Sequence, residues 1–198
     1  MRYMVTSLLA VLLAGPASAH PGHLGHGDAV GFVHGFMHPL GGLDHVLAML
    51  AVGLLACLLR GRALWLVPSA FVGMMAAGGL LAAYGLAVPQ IELGIALSIV
   101  VIGALVALGR DLPVAVATAV VAAFAIFHGA AHAAEMPAAV SGLSYGLGFM
   151  LATAALHGAG ILAGFGFASA GRVFGPRLMR AGGALIAAAG VAVLGGSL

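Results

Sequence analysis

Within long runs of Ala, Leu, Val and Gly the chain places six histidines and two acids: His34, His38, Asp44, His45, His128, His132, Glu135 and His157. Ionisable side chains are costly in a bilayer, and with 6% of residues charged a set this dense reads first as a functional site. Imidazole with carboxylate is a ligand set for divalent transition metals. Ni, Co, Cu and Zn bind neutral imidazole, and a carboxylate either ligates the ion or orients a ring by accepting its second N–H. Asp44 can take either role. Taken singly, each residue also has an ordinary use: Asp44 as a helix cap, Glu135 as a solvated end before Pro137, a lone histidine as a core residue.

Spacing argues for the collective reading. His34 and His38 are four apart, as are His128 and His132, and Glu135 follows three later, so on helices each set shares one face. Pro39 and Gly41-Gly42 predict a break or re-entrant turn ahead of the first apolar helix, of the kind that lines a cavity in membranes. At 1.5 Å per residue, Asp44 lies ~24 Å from Arg60, His128 ~23 Å from Pro113, and His157 ~17 Å from Ala168 at the inner boundary. The expected ligands form a graded path from outside inward.

The elements that must hold them are helices in lipid. A hydrophobic fraction of 63% and a mean hydropathy of +1.21 indicate an all-α integral membrane protein. Residues 1–19 have the parts of a cleavable signal peptide, ending in Ala17-Ser18-Ala19. Residues 20–30 read as a periplasmic, histidine-rich tether in which His20, His23 and His26 can collect metal at the mouth. Residues 31–198 form the transmembrane domain, with six spans expected near Gly41–Leu59, Leu64–Tyr84, Ile91–Leu108, Pro113–Glu135, Ser141–Phe167 and Ala181–Leu198. Every arginine after Arg2 then falls on the cytoplasmic side, which places the mature N-terminus in the periplasm.

Several classes drop out. There is no basic run for nucleic acid. The single Cys57 excludes an intrachain disulfide and a thiolate cluster. P-loop and H-E-x-x-H patterns are absent, and Gly142-Leu-Ser144-Tyr-Gly146 opens a helix where a nucleophile elbow needs a preceding strand. No enzymatic activity and no prosthetic group is expected. Small-residue spacings such as Gly160-x-x-x-Gly164 speak for tight helix packing and leave oligomerisation open.

The segment His38-Pro39-Leu-Gly-Gly-Leu-Asp44-His45-Val-Leu-Ala-Met49-Leu-Ala-Val-Gly53 resembles the signature of the HupE/UreJ proteins, and Phe127-His128-Gly-Ala-Ala-His132-Ala-Ala-Glu135-Met-Pro137 and Ala152-Thr-Ala-Ala-Leu-His157 fit the same family. Ala133 departs from the glycine more usual there, at a position that carries no ligand. The resemblance implies a nickel, or sometimes cobalt, permease of the bacterial cytoplasmic membrane that serves hydrogenase or urease, with their metallochaperones as candidate cytoplasmic partners. It carries over His38, Asp44, His45, His128, His132 and Glu135; His34 and His157 join on placement. Two alternatives stand beside it. One is a membrane metal sensor or chaperone for hydrogenase or urease maturation. The other is a b-type haem electron carrier using His128 or His132 opposite His157.

Overall fold

A computed structural model describes residues 26–137 and 139–196, and over these helix is the only regular secondary structure. Seven helices follow one another: α1 (His26–Gly41), α2 (Leu43–Leu59), α3 (Ala63–Ala83), α4 (Ile91–Leu108), α5 (Val114–Glu135), α6 (Gly142–Ser169) and α7 (Gly171–Leu194). The signal-peptide segment, and with it His20 and His23, lies outside the described residues. Helices α3 to α7 are each long and apolar enough to cross a membrane, and the pair α1–α2, counted as one broken span, makes a sixth. The protein is a multi-pass membrane protein.

Helix α2 is the axis of the bundle. It touches every other helix, and it is buried without interruption from Ala51 to Cys57, nearly two turns in which no face is left to lipid. A helix that is apolar all round suits such a place. The outer helices pair closely: α3 with α5, α4 with α7, and α6 with both α1 and α2. Backbone contact explains two of these pairings. Gly129 of α5 lies against the Met75 carbonyl of α3, and Gly53 of α2 lies against the His157 carbonyl and Gly160 of α6. A Cβ at either glycine would overlap those atoms, so only glycine admits the observed spacing.

Five of the expected spans agree with α2, α3, α4, α5 and α6 to within two residues. Two differences have physical causes. Helix α1 continues through Pro39, and the chain turns at Gly42, whose extended backbone (φ −104°, ψ 120°) sets Asp28–Gly41 and Leu43–Leu59 at 83° to each other. Residues 26–30, expected in the tether, belong to that helix. The last helix starts ten residues before the expected Ala181, at Gly171, where a φ of 92° breaks it from α6. Pro176 sits near its start, and arginine is a good helix former, so Arg172, Arg177 and Arg180 are carried inside α7 and not in a loop. Arg180 there donates from Nε to the Ala107 carbonyl at 2.9 Å, satisfying a carbonyl in the last turn of α4.

Candidate metal centre

The bend at Gly42 lays α1 across one end of the bundle, so the C-terminal turn of α1, the N-terminal turn of α2 and the C-terminal turn of α5 converge there. The helical spacings of the sequence then act together. His34 and His38, on one face of α1, line an open pocket of ≈ 550 Å³ with Gly42, Asp44, His45 and Glu135. His132 and His128 lie behind it, 3% and 0% exposed.

At the mouth, His38 Nε2 and Glu135 Oε2 are 2.8 Å apart, and the imidazole N–H donates to the carboxylate. His38, His132 and Glu135 form one group whose ligand atoms lie within 4.8 Å of one another. Donors about 2.1 Å from one ion are at most about 4.2 Å apart, so modest side-chain rotations would close this group on a single cation. His132 belongs equally to the next layer. Its ring centroid is 4.9 Å from that of His38 and 4.5 Å from that of His45, and His45 is 5.1 Å from His128. Four imidazoles therefore run in a continuous file inward from the pocket.

Proton placement in this file follows from the partners. A carboxylate only accepts, so His45 Nδ1–H donates to Asp44 Oδ1 at 2.9 Å, and the same oxygen accepts the His45 backbone N–H at 2.8 Å. Nε2 of His45 is then a bare lone pair, buried and without a protein partner. In α4 the Ser98 hydroxyl gives its one hydrogen to the Ile95 carbonyl at 2.6 Å. It can only accept from His128, whose Nε2 lies 3.0 Å away, and Nδ1 of His128 is left bare. Both ring nitrogens of His132 and both of His157 also lack protein partners. Buried polar atoms are ordinarily satisfied, and leaving one bare costs roughly 1–3 kcal/mol. A file of such lone pairs suits neutral-imidazole ligation of a divalent ion.

The chain matches the family model described as HupE / UreJ protein over residues 8–193. It belongs to the HupE/UreJ family. Protein HupE of Rhizobium leguminosarum bv. viciae is 44% identical over 198 residues, covering 99% of this chain and 100% of that one. No solved structure matches.

In this HupE/UreJ chain the pocket and the file bring together His34, His38, Asp44, His45, His128, His132 and Glu135. His157 stands apart from them, buried in α6 beyond the ring of Phe71. Sequence reasoning missed four neighbours. Ser98 had a signal, being the one polar side chain between Ile95 and Leu108 of α4. Tyr145 and Phe149, one turn apart on α6, border His38 and His132 with ring centroids at 6.0 and 3.6 Å. They and Phe71 lie in apolar runs that do not reveal which residue faces the histidines.

Proposed function

We propose that the protein is a permease that imports a divalent transition-metal ion, nickel or cobalt, from periplasm to cytoplasm, in the cytoplasmic membrane and with its mature N-terminus outside. The observation that carries this reading is the file of bare, buried imidazole nitrogens leading inward from an open pocket that holds two carboxylates. Membership of the HupE/UreJ family supports it.

The hydrated ion enters the pocket, drawn by Glu135 and Asp44, and exchanges waters for His38, His132 and Glu135. His132, within ring contact of both layers, hands the ion to His45 and His128, whose bare nitrogens Asp44 and Ser98 hold in place. Several sites of moderate affinity permit release where one tight site would trap the ion. An inside-negative potential contributes ~2.3 kcal/mol per charge per 100 mV, hence ~4.6 kcal/mol for a divalent ion, enough for net uptake without ATP. The histidines His20 and His23 would gather metal ahead of the pocket.

The haem alternative gains no support: the Phe71 ring packs against both His128 and His157, with centroids at 5.3 and 5.1 Å. The reading is tested by nickel accumulation in cells that lack other nickel importers and express this chain. Accumulation above empty-vector cells is expected. Cells that fail to accumulate, although the purified protein binds nickel tightly, would leave the sensor or chaperone reading in its place.

A further inference from the structure

The imidazole file stops at one side chain. His128 and His157 are 0% and 1% exposed, and the ring of Phe71, itself 0% exposed, is in contact with both. Its centroid is 5.3 Å from that of His128 and 5.1 Å from that of His157, with interplanar angles of 55° and 83°. From His38 to His128 each histidine is in ring contact with the next; from His128 to His157 the contact runs through hydrocarbon. One turn along α3 and α6 from this point, Met75 and Thr153 meet, with Thr153 Oγ1 3.7 Å from Met75 Sδ, and both side chains are buried. Beyond His157, the approach of Gly53 to the His157 carbonyl and Gly160 presses α2 against α6. Past that contact a second cavity of ≈ 640 Å³ opens, lined by Cys57, Arg60, Phe165 and Met179 among others. Phe71, fully buried and lining neither cavity, belongs to the packed interior between these two ends of the bundle.

We propose that Phe71 is the gate of the permeation path: its ring must swing aside for an ion to pass from His128 to His157, and it thereby sets the rate and rejects cations that imidazole does not hold. This rests on the transport reading above. A hydrated ion cannot sit in an apolar constriction, which excludes water as well as charge. An ion held by imidazoles on either side needs only a brief displacement of the ring. Met75, flexible and unbranched, is the neighbour able to yield room for it. Ions that keep their waters and bind oxygen, magnesium above all, find no ligand in the file to exchange them for. The same aromatic ring therefore closes the path and filters it.

Two measurements separate this gate from the transport reading. The first is accessibility and needs no flux: in a Cys57→Ser background, His157→Cys is exposed to a membrane-impermeant methanethiosulfonate reagent added from the pocket side, with Phe71 retained or with Phe71→Leu. Leucine keeps the site apolar and removes ring volume. The expected result is modification at least about tenfold faster in the Phe71→Leu protein, because the constriction is opened. Equal rates, in protein that elutes as a folded species, overturn the gate. The second is nickel and magnesium uptake into proteoliposomes by the wild type, Phe71→Leu and Phe71→Trp. Leucine should raise nickel uptake about threefold and admit magnesium, and tryptophan should slow nickel uptake about tenfold, with nickel binding by the purified proteins unchanged. Wild-type rates and selectivity in both variants overturn the gate, whereas absence of wild-type uptake overturns the transport reading and leaves the accessibility result to decide on Phe71.

Discussion

The Ser98 hydroxyl accepts a hydrogen bond from His128 Nε2 at 3.0 Å while donating its own hydrogen to the Ile95 carbonyl at 2.6 Å. A serine on α4 thus selects the tautomer of a histidine on α5 and leaves its Nδ1 bare. Outer partners of this kind are worth about 10–100-fold in metal affinity. Ser98→Ala should weaken nickel binding by about that factor, while Ser98→Thr, which retains the hydroxyl, should restore most of it. Isothermal titration of the purified variants checks this; an unchanged affinity for Ser98→Ala would remove Ser98 from the role.

Asp44 serves His45 in the same way, and also lies in the first turn of α2, where a negative charge suits the helix dipole. Asp44→Asn preserves the shape and a hydrogen-bond acceptor but loses the charge. Nickel affinity should fall about 10–100-fold with the protein still inserted and folded. Asp44→Ala should abolish uptake. Uptake at the wild-type rate in the alanine variant would take Asp44 out of the path.

Glu135 is half-exposed at the mouth, so on the proposed path it would contribute to capture and not to the buried layer. Glu135→Gln can keep a hydrogen bond to His38 and loses the charge. The nickel concentration for half-maximal uptake should rise about tenfold with the maximal rate little changed, the pattern of weakened first binding. A lowered maximal rate with unchanged half-saturation would place Glu135 at a later step.

Gly129 adjoins His128 and lets α5 lie against the Met75 carbonyl of α3. Gly129→Ala must push these helices apart, with a stability loss of roughly 1–3 kcal/mol by overpacking. Lower thermal stability in detergent and lost uptake are expected together. Gly146→Ala, where an added Cβ meets nothing within 4 Å, serves as the control and should change neither.

Much of this was legible in the sequence because helical periodicity and lipid are strong constraints. The spacing His128-x-x-x-His132-x-x-Glu135 needs only a helix to face one way, and Ile91–Leu108 is delimited by length and hydropathy alone. What escaped depends on contacts between helices. Nothing in the run from Ala63 to Ala83 distinguishes Phe71 from Trp65, yet packing buries the first completely and leaves the second 58% exposed. The early start of α7 was hidden for a related reason: Arg172, Arg177 and Arg180 read as an end of the membrane, while a helix can carry arginines past that boundary when one of them, Arg180, closes the end of α4.

Passage of nickel through the histidine file is decided by initial nickel uptake into proteoliposomes as the imposed inside-negative potential is raised, with wild type beside His132→Gln. His132 joins the mouth to the buried pair, so the expected result is wild-type uptake that grows with the potential and is inhibited by cobalt, and variant uptake reduced to that of protein-free vesicles. Potential-driven uptake by the variant at the wild-type rate would contradict a path through these residues.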